Sequence, residues 1–265
     1  MINRKSGTIA CWLLVSSILA PPAYAEAKQS VQITAATQDY SKDLGSQRSV
    51  SLEYKYDNDD TTVVFTPTVG QRRVAGTSST AVGAGAAIYH DWSKTVSTRT
   101  GVFIAEDKTV FAHLELSQDV TFKVARSTTV TVGGRWARYD GGHDVSFVSL
   151  GARRYFKGGS VAYRLTRIDP EGLDSFYGHL INLTINDGHG RGKTQLWLST
   201  GASELDRNQL PGTFTGSNYA GMLKRTQPLT DRFALIAGAG VSSYARPQGR
   251  VTATNFELGL QMGID

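Results

Sequence analysis

The chain has 265 residues, 40% of them hydrophobic and 19% charged, a formal net charge of +5 and a single cysteine. One cysteine excludes a disulfide framework, and Cys11 falls in a leader-like segment, so the remainder holds no thiol nucleophile or thiolate metal ligand. No dense Lys/Arg run is present, and nucleic acid is not an expected partner.

The first 25 residues read as a secretory signal peptide. Arg4 and Lys5 form the charged region, and an apolar run from Ile9 to Leu19 is interrupted by Ser16 and Ser17. Ala23-Tyr24-Ala25 is a small-x-small cleavage site. The run is too short for a spanning helix, which needs about 20 residues, and Pro21 and Pro22 would break a longer one. The expected division is a leader over 1–25 and one domain over 26–265. Loss of Arg4 and Lys5 takes the formal charge from +5 to +3.

From there on, apolar and polar residues alternate with period two in one segment after another, the pattern of strands with one greasy and one wet face. Val50, Leu52, Tyr54 and Tyr56 alternate with Ser51, Glu53 and Lys55. Thr61 to Val69, Val82 to Ile88, Val110 to Leu116, Val130 to Trp136, Val161 to Leu165, Ile181 to Ile185, Leu196 to Leu198 and Phe233 to Val241 repeat it. Turn residues punctuate the segments at Asp57-Asn58-Asp59-Asp60, Ser93-Lys94, Ala125-Arg126-Ser127, Lys157-Gly158-Gly159, Asp187-Gly188-His189-Gly190 and Gln227-Pro228-Leu229-Thr230. Longer connections are expected at Ser41 to Arg48, Arg72 to Ser79, Asp169 to Asp174, Leu205 to Ser217 and Ala245 to Arg250. Aromatic residues such as Tyr54, Trp92, Tyr139, Phe156, Tyr177 and Tyr244 flank the turns, where headgroup-level rings belong.

The last segment alternates without a break. Phe256, Leu258, Leu260, Met262 and Ile264 are apolar, with Glu257, Gly259, Gln261 and Gly263 between them. Glu257, Gly259, Met262 and Ile264 resemble the C-terminal assembly signal of outer-membrane barrels, although the final apolar positions are aliphatic and Asp265 follows them. With a leader at one end and this pattern at the other, the expected fold is all-β: an antiparallel transmembrane β-barrel of about 14 strands, with 12 and 16 the neighbouring even counts. A soluble periplasmic β-sandwich is the alternative. It would share the alternation but need neither the assembly pattern nor polar inner faces.

Trp136, Tyr139, Val148-Ser149-Leu150-Gly151, Arg154-Tyr155-Phe156-Lys157-Gly158-Gly159 and Gly201-Ala202-Ser203-Glu204 carry a resemblance to the YaiO family of outer-membrane β-barrels. The resemblance implies a cell outer membrane location in a Gram-negative envelope and supplies no catalytic residues.

Charged residues at inward positions cannot face lipid cheaply; an Arg or Lys at the midplane costs about 2–4 kcal/mol. Alternation assigns Glu53, Lys55, Arg99, His113, Glu115, Arg135, Arg153 and Arg164 to the lumen. Bases outnumber acids there, which points to a pore or exporter for small anionic solutes or polysaccharide. The alternative is a structural or docking barrel whose lumen is plugged by salt bridges. His113 and Glu115 read as a polar contact rather than an acid–base pair. A lipid hydrolase is disfavoured, because no Ser, His and acid pattern stands out; the expected protein is not an enzyme. No metal-ligand spacing or cofactor motif is present, and Gly83-x-Gly85 and Gly238-x-Gly240 are followed by no helix to bind phosphate. Expected partners are outer-membrane lipid and lipopolysaccharide, with the barrel-assembly machinery and periplasmic chaperones during biogenesis.

Overall fold

In a computed structural model the chain forms a closed ring of fourteen antiparallel strands. The structure describes residues 28–42, 44–74, 76–106, 110–139, 143–188, 192–201, 218–245 and 249–264. The leader, including the cleavage site before Glu26, and the Leu205 to Ser217 connection lie outside these residues. The strands are β1 (Gln29–Tyr40), β2 (Ser46–Asn58), β3 (Thr61–Val74), β4 (Thr77–Asp91), β5 (Val96–Ala105), β6 (Leu114–Ala125) and β7 (Thr128–Arg138). They continue as β8 (Asp144–Phe156), β9 (Gly159–Pro170), β10 (Phe176–Asn186), β11 (Lys193–Gly201), β12 (Tyr219–Pro228), β13 (Phe233–Tyr244) and β14 (Val251–Ile264). Each strand pairs with its neighbours in sequence, and β14 closes on β1 with Gln29 opposite Ile264 and Tyr40 opposite Ala253. Closure leaves no strand edge to pair with another chain.

The polarity is that of a membrane barrel turned outward. Ile33, Val148, Leu150, Phe256 and Leu258 stand exposed on the outer face, Leu258 at 59%. Thr34, Ser51, Ser149, Asn255 and Glu257 are buried on the inner one. A soluble sandwich would bury the first set and wet the second. An apolar outer band with a polar interior is stable only against hydrocarbon. Among the described residues no helix is long and apolar enough to cross a membrane; strands do the crossing.

The two ends of the barrel differ. At one end lie Gln29, Ile264 and the tight turns. Asp59 adopts the left-handed φ of 44° that a short polar side chain tolerates, and Gly158 has φ 85°. Ser93 Oγ accepts from the amides of Thr95 and Val96, and Thr230 Oγ1 from those of Arg232 and Phe233. The opposite end carries most of the longer connections, although the β10–β11 connection, residues 187–192, lies at the turn end. The expected long connection from Arg72 to Ser79 is instead a tight reversal, with β3 running to Val74 and β4 starting at Thr77. The polar run there continues the ladder, Arg72 opposite Ser79 and Arg73 opposite Ser78. In barrels of this kind short turns face the periplasm and longer loops the exterior.

Two other expectations change. The alternation from Val110 to Leu116 is a strand only from Leu114 onward. The aromatics divide between faces: Tyr54, Trp92, Phe156 and Tyr177 are exposed as a lipid-interface ring would be, whereas Tyr139 and Tyr244 are buried inside the loop end. Pro67 sits on the outer face of β3 and has no amide to donate. The β2–β3 ladder is interrupted there, between Ser51–Thr68 and Tyr54–Phe65.

Candidate functional site

The lumen is built in three tiers. At the loop end the β5–β6 connection folds inward. Val110, Phe111 and Ala112 are at most 1% exposed. The Phe111 ring meets that of Phe103 edge-on, with centroids 5.8 Å apart, and packs with Ala81 and Ala105. Gly70 of β3 makes room for it, since a Cβ there would lie 2.5 Å from the Phe111 ring. Gln47 of β2 donates Nε2–H to the Val110 carbonyl at 3.4 Å. Ala112 reaches the other side and packs with Ala137, Tyr139, Val145 and Ile168. Residues 110–112 thus form an inward-folded apolar plug, packed against β2–β5 on one side and β7–β9 on the other.

Below the plug, charged side chains lie flat against the wall on a bed of glycines. Arg135 pairs with Glu115 at 3.3 Å, both nearly inaccessible, and its guanidinium carbon stacks 3.5 Å from the Phe147 ring centroid. Asp119 of β6 reaches Arg99 of β5 at 4.0 Å and Arg164 of β9 at 3.5 Å. The second bridge skips two strands. It can do so because β7 presents Gly133, where a Cβ would collide with Asp119 Oδ1 at 1.9 Å. Lys224 of β12 pairs with Glu257 of β14 at 2.9 Å, across Gly238 of β13, whose Cβ would meet the Glu257 side chain at 2.6 Å. Gly83 similarly seats Phe103. The glycines of Gly83-x-Gly85 and Gly238-x-Gly240 are therefore strand positions that accommodate neighbouring side chains.

Toward the turn end the lumen opens into a cavity of about 90 Å³, lined by Arg153, Arg164, Asn182, Gln195, Thr131 and Trp197 among others. Arg153 is buried and donates to Ser160 Oγ at 2.7 Å and, weakly, to Asn182 Oδ1 at 3.5 Å. Both partners are neutral. Lys193, one strand beyond Asn182, lies within electrostatic range of Lys224 and Arg153. Trp197 packs with Leu180 and Met222 to form an apolar wall beside these cations.

A family model described as the YaiO membrane beta barrel domain matches residues 28–204 of the chain. The chain belongs to the YaiO membrane beta barrel family. Solved structures with the same architecture include a structure described as the CymD monoaromatic hydrocarbon channel, at 5% identity and TM-score 0.64, covering 91% of this chain and 89% of that one. A Pseudomonas aeruginosa FadL homologue matches at 9% identity and TM-score 0.60 over 92% of each chain. The P. putida toluene transporter TodX matches at 8% identity and TM-score 0.57 over 93% of each. At such identities the likeness is one of fold.

In this YaiO barrel the residues singled out from sequence separate by tier. Arg99, Glu115, Arg135, Arg153 and Arg164 lie on the inner face of their strands. Glu53 and Lys55 lie on the inner face of β2 toward the turn end, where Lys55 pairs with Asp57 at 3.0 Å. His113 does not join them. It is exposed in the β5–β6 connection, its Nδ1 3.0 Å from the Ala105 carbonyl. The backbone of His113 still bonds to Ala105 and Arg138, but its side chain is exposed at the strand end, where alternation no longer assigns a face. Of the assembly-signal positions, Glu257 is an inner ion-pair member and Gly259 packs beneath Thr34; Met262 and Ile264 end the closing strand beside β1. Asp119, Lys193 and Lys224 were missed. Asp119 shares the parity of Glu115, and stepping two residues twice along β6 finds it. Lys224 lies on β12, where Arg225 and Gln227 on the outer face blur the alternation.

Proposed function

We propose that this barrel is a non-enzymatic envelope component that conducts small anionic solutes across the outer membrane, with the β5–β6 plug restricting the loop end. One observation carries the reading. Arg153 on the wall of the turn-end cavity, and Lys193 one rung beyond its lining, form no ion pair with a carboxylate among the described residues. Uncompensated charge in a low-dielectric lumen is costly, so its retention points to a transient counter-ion. The family and the neighbouring folds are membrane barrels, channels and transporters, in keeping with a conduit. The solute class is argued from this lumen alone. Against chemistry, Glu115 is bound to Arg135 while His113 is exposed, and His90 and His179 bond to Thr61 and to Tyr163 on the outer face. Delivery by the leader, recognition of β14 by the assembly machinery and contact with lipopolysaccharide at the loop end belong to the same proposal.

The test is conductance in planar bilayers with an asymmetric KCl gradient. Wild type and a Val110→Gly, Phe111→Ser, Ala112→Gly variant are compared after heat-modifiable migration has verified folding. Larger steps in the variant, with a reversal potential favouring chloride, support the proposal. Absence of steps in both, or a preference for potassium, overturns it. A second reading has its own observation: the strand-skipping pairs of Asp119 and Lys224 brace the wall as a structural barrel requires. Silence of both proteins in the bilayer is its expected result.

A further inference from the structure

The cavity at the turn end has more specificity than a charged vestibule needs. In register, Arg153 of β8 lies opposite Ala162 of β9, which lies opposite Asn182 of β10, opposite Trp197 of β11. Ala162 is small, so Arg153 can reach across β9 to Asn182. The next rung toward the turn end carries Ser160, Thr184 and Gln195, the last opposite Lys224. One rung further, Lys193 stands between Asn186 and Thr226. The result is an arc of donors across β8–β12, cationic at both ends and amide-bearing between, flanked by the Trp197 indole.

Two of the nearby acids are committed elsewhere: Asp119 bridges Arg99 and Arg164, and Glu257 holds Lys224. Glu53 lies within electrostatic range of Lys224 and Lys55, which pair with Glu257 and Asp57. Arg153 keeps only neutral partners, and no ion pair is formed by Lys193 among the described residues. Arg153 on the cavity wall and Lys193 one rung beyond its lining lie within electrostatic range and repel, and burial strengthens the repulsion. A planar or tetrahedral oxyanion between them would reverse that term and accept from the amides of Asn182 and Gln195, the geometry for which guanidinium forks are suited. The volume sets the size. About 90 Å³ is below the roughly 150 Å³ cavity that admits benzene, which suits one oxyanion group rather than a whole sugar ring. An attached ring would have to lie outside the cavity, against the Trp197 side.

We propose that the Arg153–Asn182–Gln195–Lys193 arc is an oxyanion-binding site, taking the carboxylate of a sugar acid or a free phosphate from the turn-end side of the lumen. This rests on the reading of the barrel as an anion conduit, but binding is measurable without conductance.

The experiment uses the full barrel folded in detergent or vesicles. Trp92→Phe and Trp136→Phe leave Trp197 as the only tryptophan outside the leader. Glucuronate, inorganic phosphate and neutral glucose are titrated at constant ionic strength. Trp197 emission and the urea midpoint of unfolding are followed together. The expected result is a saturable response to glucuronate or phosphate, none to glucose, and at least a tenfold weaker response in Arg153→Gln and in Lys193→Gln. Lys193→Arg should restore it. A response to glucuronate alone assigns the site to sugar acids, and one to phosphate alone to the free ion. No change in either readout with both anions, or an equal response to glucose, overturns the site. If the site binds and the bilayer stays silent, the conduit reading fails and the site stands. If the barrel conducts anions and the arc variants change nothing, the reverse holds.

Discussion

The two halves of the lumen solve the same problem in opposite ways. Both must fill the interior of a fourteen-strand ring. The loop half packs apolar residues along one side, Val110, Phe111 and Ala112 folded in among Phe103, Ala137 and Tyr139, over the closed Arg135–Glu115 pair, with Gln38, Gln47 and Arg72 buried at the same end. The turn half leaves a cavity walled by Arg153, a cation with only neutral hydrogen-bond partners. On the proposed reading the first half serves closure and the second exchange with ions. The contrast implies that substitutions in the loop half should be read as stability, and those in the turn half as ion binding.

The largest effect is expected at Glu115. Replacement by Leu leaves Arg135 charged, buried and held only by the Phe147 face, and losing one partner of such a pair costs roughly 3–5 kcal/mol. Urea unfolding from vesicles should show this loss. Adding Arg135→Met to Glu115→Leu should recover most of it, because an apolar pair of similar volume needs no counter-charge. A double variant as weak as the single one would mean that the pair is not the source. Next in size is Phe111→Ala. A buried Phe→Ala change typically costs about 3–5 kcal/mol, but a connection can relax where a strand cannot, so about 2–3 kcal/mol is expected here. The loss should appear as plug opening, with larger conductance steps and faster proteolysis in the β5–β6 connection. A change in global unfolding alone, with the plug still closed, would contradict the comparison.

Much of the wall is legible in the sequence. Period-two alternation assigns a face to every residue of a regular strand, and that is why Arg99, Arg135, Arg153 and Arg164 could be placed inside from sequence. What alternation lacks is knowledge of where a strand stops. Val110 and Ala112 alternate as smoothly as Leu114 and Leu116, yet they belong to the plug. The deciding contacts, Gly70 under Phe111 and Gln47 on the Val110 carbonyl, lie forty or more positions away in the chain. The ion-pair network was hidden for a similar reason. Asp119 and Arg164 meet over two intervening strands, and the residue that permits it, Gly133, reads locally as one more glycine in a glycine-rich chain.

That glycine gives a sharper test of the middle tier. Gly133→Ala should drive a methyl into Asp119 and Ser149, moving the carboxylate off Arg99 and Arg164 at about 1–3 kcal/mol. Gly134→Ala is the internal control. Its nearest neighbour would be the Phe147 carbonyl at 3.9 Å, so it should be close to neutral. Equal urea midpoints for the two variants would show that the glycine bed is incidental.

The smallest effect lies outside the lumen at the turn end. Asp187, in the β10–β11 connection, accepts from both terminal nitrogens of Arg225, and that hydrogen bonding holds its carboxyl below the usual carboxylate range. A carboxyl depressed in the folded state adds stability that is present above its unfolded pKa of about 3.9. The contribution is lost as pH falls through the lower folded value. The difference in urea midpoint between wild type and Asp187→Asn should therefore be constant from pH 7 to 5 and vanish on acidification below pH 3. Because the pair is about a third exposed, 0.5 M salt should also weaken it, while the Glu115–Arg135 difference survives the same salt. Equal salt sensitivity of the two pairs would mean that the loop half is as wet as the turn surface, and the contrast between the halves would not hold.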